Sequence, residues 1–337
     1  MMSASAAPAV SNEQRRLQKA ILWRERISEN GVWVALAVLI LFNLIATNNF
    51  WSLQTVQTNL GQMATVGICA VGMTLIMATG GIDLSVGSLM AVAGAAAGLV
   101  VVGDPELLSN PAVGLVVILL TAMITAAVFG FLNGFLVGRL NIQPIVATLV
   151  VMIVGRGIAQ MVTSGRLYNV ENPALLWLGR GTVLGLPVMA WVFIVVVALF
   201  AWVARATVFG RRVFAVGGNE AAAELAGVPV TRIKYSVYVI AAMLAGLAAM
   251  LSVGVNGTVD TANLGLGIEF AVISAVVVGG TPLTGGRPRI LGTVAGVALL
   301  QLLAYSLASH NVAKEVSSLI QAAVIIAAVA TQLRRRG

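Results

Sequence analysis

Long apolar runs alternate with short polar breaks along nearly the whole chain. A helix that crosses a bilayer needs ~20 mostly apolar residues. Ten runs fit or approach that length: 31–47, 60–79, 85–102, 113–138, 144–163, 186–204, 234–254, 266–279, 290–308 and 315–333. The pattern predicts an all-α integral membrane protein with about ten transmembrane helices. The eighth run is short and leads directly into a glycine pair, a sign of a helix broken along a pathway.

That glycine pair has a counterpart. Residues 80–87 read Gly-Gly-Ile-Asp-Leu-Ser-Val-Gly and residues 279–286 read Gly-Gly-Thr-Pro-Leu-Thr-Gly-Gly. Both fit Gly-Gly-x-x-Leu-[Ser/Thr]-x-Gly between apolar runs. Glycine pairs and an acid are costly there unless the backbone must break. Broken helices are therefore expected at both strings. They lie six helices apart, so they share one orientation. This suggests a parallel internal repeat, and a coincidence between two Gly-rich loops is the competing reading.

Composition agrees with a lipid solvent. The 337 residues are 59% hydrophobic and 9% charged, whereas soluble domains carry about 25% charged residues. Cys69 is the single cysteine, which excludes an intrachain disulfide and is read as a buried, inert thiol. His310 is also single, and no metal site is expected.

The sequence pI near 10.5 raises nucleic acid as a partner, but the positions of the basic residues favour membrane orientation. With the N-terminus inside and the helices alternating, the inside segments hold Arg15, Arg16, Lys19, Arg24, Arg26, Arg139, Arg205, Arg211, Arg212, Arg232, Lys234, Arg287, Arg289, Arg334, Arg335 and Arg336. Outside lie only Arg166, Arg180 and Lys314, and Arg156 falls within a span. Such a skew is what positive-inside orientation produces, so both termini are expected in the cytoplasm. Residues 1–30 form a basic cytoplasmic segment, and an interfacial helix or a plain tail both fit it. Residues 31–333 form one transmembrane domain, and 334–337 a basic tail. No cleavage-site pattern follows the first run, so it is read as an uncleaved helix.

The longest internal polar segment is 205–233. Asn219 suits a helix N-cap, Glu220 favours the positive helix start, the alanines propagate, and Gly227 with Pro229 ends it. A short helix between two spans is expected on the cytoplasmic side, either a docking surface or a plain connector.

Polar residues inside spans are few. Asp83 is read as a cap of the third helix, accepting from Ser85 or Val86, and as a candidate wall of a translocation path. Arg156 and Glu269 sit at span positions, where ionisable groups usually face a cavity or each other. Asn59, Gln62, Asn133, Gln143, Gln160 and Gln301 offer amides within or near spans for a polar solute, with helix–helix hydrogen bonding as the alternative for each. The candidate pathway set is Asn59, Gln62, Asp83, Ser85, Asn133, Arg156 and Glu269. No paired-acid or His-bearing catalytic site is visible.

The chain resembles the permease subunits of bacterial ABC importers of the ribose, xylose and galactose class. The likeness rests on Val71-Gly72-Met73-Thr74 with Gly80 to Gly87, and on Ala215-Val216-Gly217-Gly218-Asn219-Glu220-Ala221-Ala222 with Gly227. It extends to Val277-Val278-Gly279-Gly280-Thr281-Pro282-Leu283, Gly285-Gly286 and Gly292-Thr293. It runs from about residue 55 to 330. Details around the first string also resemble the galactofuranose-type permeases.

The resemblance implies a dimer, with an identical or paralogous second subunit, in the bacterial inner membrane. It implies a separate cytoplasmic ATPase that uses ATP and Mg, and an extracytoplasmic sugar-binding protein. It also makes Gly217, Gly218, Asn219, Glu220, Ala222, Ala223 and Gly227 the ATPase-coupling residues. The chain agrees in lacking a P-loop, since none of its lysines, Lys19, Lys234 and Lys314, follows a glycine. It departs at Ala271, where the family commonly has an acid two residues after its glutamate, and at Pro282 and Pro288. An ion-coupled secondary transporter is the competing class, which would favour more intramembrane acids than Asp83 and Glu269.

Overall fold

The computed structural model describes residues 31–103 and 109–333. The readings for 1–30 and 334–337 lie outside the described residues. Local signals set most helix starts. Ser52 Oγ accepts from the Thr55 amide and opens α2 (Leu53–Ala78), and Asn110 caps α4 (Pro111–Gly138) with proline in its first turn. Pro144 begins α5 (Pro144–Thr163), and Asn172 caps the short α6 (Pro173–Arg180). Proline fits the first helical turn because that amide lacks an intrahelical partner anyway. The remaining helices are α1 (Gly31–Ala46), α3 (Val86–Gly103), α7 (Val188–Ala206), α8 (Val208–Gly218), α9 (Glu220–Leu225), α10 (Val230–Asn256), α11 (Ile268–Val278), α12 (Ile290–Ser309) and α13 (Lys314–Leu333).

Each of the ten predicted runs is a helix, but they are not ten equal spans. Seven described helices are long and apolar enough to cross a membrane: α2, α3, α4, α5, α7, α10 and α12. At 11 residues, α11 covers only ~16 Å, about half a bilayer core. Helix α2 starts seven residues before the apolar run because Gln54, Thr55, Gln57, Thr58 and Asn59 are helical yet polar. Helix α10 starts at Val230 because Arg232 and Lys234 ride on its first turns.

Helices α2, α3 and α10 form the centre, with most of their side chains buried. Helix α4 shows how the outer helices attach. Its buried face repeats every fourth residue, as Gly114, Ile118, Ala122, Ala126, Gly130, Gly134 and Gly138. Its outer face carries exposed Val116, Leu120, Ile124, Val128 and Phe131, which suits lipid. The small face lies along α10: a Cβ on Gly134 would stand 2.8 Å from Tyr235 Cα, and one on Gly246 2.8 Å from Ala122 O. Small residues allow this approach, and the contact area replaces the hydrophobic drive that lipid cannot supply.

Two small antiparallel pairs join loops at the end of the molecule where α5 finishes. Strand β1 (Tyr168–Asn169) pairs with β4 (Thr258–Val259), and β2 (Thr182–Val183) pairs with β3 (Leu186–Pro187).

Candidate functional site

The polar segment predicted as one short helix contains two. Helix α8 includes Gly217 and Gly218, and α9 follows after Asn219. The cap is as expected: Asn219 Oδ1 accepts from the Ala222 amide at 3.0 Å. Gly227 adopts φ +78°, and the Val228 amide donates to Ala223 O, a left-handed helix stop. Asn219, Glu220, Ala222 and Gly227 are exposed, whereas Ala223 is buried. Glu220 pairs with Lys234 on α10 at 2.6 Å.

Gly217 is where α8 meets both Gly-Gly strings. A Cβ there would collide with Ala78 O and with the Gly286 amide. Those two atoms are themselves hydrogen-bonded, Gly286 N to Ala78 O at 3.0 Å. Gly285 closes the cluster, since its Cβ would stand 2.7 Å from Gly217 O and 3.1 Å from Gly80 N. The end of α8 and the two breaks are one glycine-lined junction.

Both strings end their helices in the same way. Gly80 has φ +79° and donates to Met77 O, and the next amide, Gly81, reaches back to Ile76 O. Gly280 has φ +91° and donates to Val277 O, and Thr281 reaches Val276 O. The structural equivalents are therefore Gly80 and Gly280, whereas the sequence match pairs Gly80 with Gly279. Both helices reach their breaks in the same direction, but the eight-residue likeness is out of register with the backbone.

After the shared stop the strings diverge. The first turns into α3 within a few residues. Asp83 is fully buried, and its Oδ1 accepts from the Ser85 amide at 2.7 Å and from Ser85 Oγ at 2.6 Å. Asn133 Nδ2 donates to Ser85 Oγ at 2.8 Å. Asp83 Oδ2 and Asn133 Oδ1 are buried without a hydrogen-bond partner among the described residues. Thr148 Oγ1 accepts from the Leu84 amide at 3.1 Å, and Tyr238 Oη donates to Ile82 O at 3.3 Å. Neither Thr148 nor Tyr238 stands out in sequence, because each is one of several hydroxyls on its helix and nothing in the spacing marks it.

Gly87, at the end of the first string, touches the segment 257–267. Its Cβ would collide with Gly265 O and stand 2.6 Å from Glu269 Oε2. Near Gly87, Ser88 lies beside Gly155, eleven residues into α5 and thus ~16 Å from that helix's start. The segment 257–267 therefore descends from the β1–β4 end to mid-depth, where α11 begins. This is why α11 is short. Gly257, Gly265 and Gly267 have positive φ along the way.

Arg156 braces that descent, with Nη1 donating to Thr261 O at 3.0 Å and Leu264 O at 2.8 Å. Glu269, in the first turn of α11, places a carboxylate where the starts of α3 and α11 converge, a position that favours negative charge. Arg156 and Glu269 thus serve one feature without forming an ion pair; the single ion pair among the described residues is Lys234–Glu220. At the outer end of this segment Asp260 accepts from Asn263 and from the Ala262 amide. Asn263 Nδ2 reaches it at 2.7 Å and the Ala262 amide at 3.0 Å.

The remaining amides form a separate group. Gln301 Nε2 donates to Gln62 Oε1 at 2.5 Å and to Asn59 Oδ1 at 3.3 Å. Gln301 also lines an open groove of about 430 Å³ with Met63, Phe270, Ser274 and Gln321. The seven candidate pathway residues thus divide into a buried knot (Asp83, Ser85, Asn133), a mid-depth brace (Arg156, Glu269) and an amide stripe beside a groove (Asn59, Gln62).

The family described as branched-chain amino acid transport system / permease component matches residues 55–329. The galactofuranose transporter permease protein YtfT of Escherichia coli is 34% identical over 310 residues, covering 90% of this chain and 89% of its own. The ribose import permease protein RbsC of Escherichia coli is 36% identical over 308 residues, covering 90% and 93%. The fructose import permease protein FruF of Bifidobacterium longum is 33% identical over 319 residues, covering 90% and 87%. No solved structure matches the chain.

Proposed function

The chain belongs to this permease family, and from that premise we propose that it is the membrane-spanning subunit of an ABC importer that carries a monosaccharide, pentose or hexose, inward. Both termini are cytoplasmic, and the chain makes ten passes, the eighth completed by the descending segment 257–267 together with α11. A second copy or a paralogue completes the pathway. A cytoplasmic ATPase that uses ATP and Mg docks on α9, and an extracytoplasmic binding protein delivers the sugar. The permease itself carries no catalytic residue.

The observation that carries this reading is the Gly217 junction. A docking helix that only anchored a partner would have no need to touch the breaks in the pathway helices. Here α8 rests on both breaks through backbone, so a displacement of α9 reaches Gly80 and Gly285 without passing through a flexible side chain.

The test is reconstitution with the ATPase and the binding protein. Ala222 is exposed and Ala223 buried, so bulk at Ala222 perturbs docking while sparing the fold. Ala222→Trp is expected to lower sugar-stimulated ATP hydrolysis several-fold, with normal membrane insertion. Unchanged stimulation would sink the coupling assignment. Transport that collapses with an uncoupler while ATP is intact would instead favour the ion-coupled class.

For the sugar path we take the amide stripe over the buried knot. An open groove with amides on one wall and Phe270 on another offers hydroxyl partners and an apolar face. Gln301→Leu removes the donor shared by Asn59 and Gln62. It is expected to slow uptake several-fold while thermal stability stays close to wild type. Uptake equal to wild type would remove the stripe from the path.

A further inference from the structure

A second, larger cleft lies at the cytoplasmic end, away from the amide stripe. Its volume is about 680 Å³, and Arg205, Arg211, Arg287 and Arg289 line it, with Trp33, Phe214 and Leu291 among the apolar contributors. None of the described lining residues is acidic. Arg205, Arg211 and Arg287 are exposed, and no ion pair among the described residues engages them. Arginines gathered around one cleft, with no acid among its described lining residues, repel one another, so the arrangement fits an anion.

The geometry points to the phosphodiester headgroup of an anionic phospholipid as the occupant. The arginines come from three separate places, the end of α7, the start of α8 and the turn before α12, and they converge on one space. Guanidinium groups match phosphate oxygens in bidentate fashion. Basic pockets between helices on the cytoplasmic side suit anionic headgroups.

The rim decides between a lipid and a soluble anion. Trp33 on α1 is 45% exposed and Leu291 on α12 is 42% exposed. On α1 the exposed surface continues through Val34, Val38, Leu41 and Ile45, an apolar track suited to acyl chains. A tryptophan near the end of an apolar helix is typical of the headgroup level. The docking helix α9 contributes nothing to the cleft, which separates the site from the ATPase contact. The transport reading supplies only the name of the leaflet, so the inference does not fall with the choice of sugar or partner.

The experiment is native mass spectrometry of the detergent-solubilised full-length permease, titrated with phosphatidylglycerol or phosphatidylcholine. Phosphatidylglycerol is expected to be retained about tenfold more strongly. The double variant Arg205→Gln/Arg287→Gln is expected to lose that preference, while Arg139→Gln, an exposed cytoplasmic arginine outside the cleft, keeps it. Equal retention of the two lipids, or equal loss in Arg139→Gln, overturns the proposal. So does displacement of the lipid by glycerol 3-phosphate at matching concentration, which would identify a free-phosphate site. A double variant that keeps its lipid but loses the ATPase overturns it too, and assigns the arginines to an acidic protein face.

Discussion

Gly217→Val is expected to abolish coupled uptake and destabilise the permease at once. The new side chain would collide with Ala78 O and the Gly286 amide, the two atoms whose hydrogen bond ties the breaks together. Overpacking against backbone cannot be relieved by a rotamer change. With the lost hydrogen bond, it should cost about 2–4 kcal/mol. The neighbouring residue is the control: a Cβ on Gly218 meets nothing within 4 Å, so Gly218→Val should fold normally. Thermal unfolding in detergent and reconstituted uptake would be measured for both. If the two variants behave alike, the junction is not the link between α8 and the breaks.

Asp83→Ala is expected to have the second-largest effect. It leaves the buried Ser85 amide without its acceptor and frees Ser85 Oγ from the bond that orients it toward Asn133. An unsatisfied buried donor costs about 1–3 kcal/mol. Because α3 starts one residue later, the loss should also fray the start of that helix and misplace Gly87 against Gly265. Asp83→Asn keeps an oxygen at Oδ1 and should restore most stability and uptake. An asparagine variant as inactive as the alanine variant would mean that the negative charge itself is required, and the hydrogen-bond account would fail.

These two expectations show which parts of the site could be read in the chain. The hydrogen bond from the Ser85 amide to Asp83, just ahead of α3, and the cap and stop of α9 were legible, because such bonds are decided within about four residues. Glu269 and Arg156 were legible as unusual, but their roles were not. Their partners are backbone carbonyls and helix starts far away in sequence, which no spacing rule encodes. The division of the polar candidates into a buried knot and a stripe beside a groove was equally hidden, since helical amides look alike until the neighbouring helices are in place.

By itself, the sequence determined a membrane protein of apolar helices interrupted by glycines, because lipid as solvent leaves few other ways to satisfy the backbone. It also determined where most helices begin and end. The sequence already marked the eighth run as short and broken, and tertiary structure alone decided that a descending segment meets it. It decided that the equivalent of Gly80 is Gly280, and that Gly217 joins the two breaks. Each of these depends on which backbones approach closely in space. A glycine records that approach is allowed, but not which partner arrives.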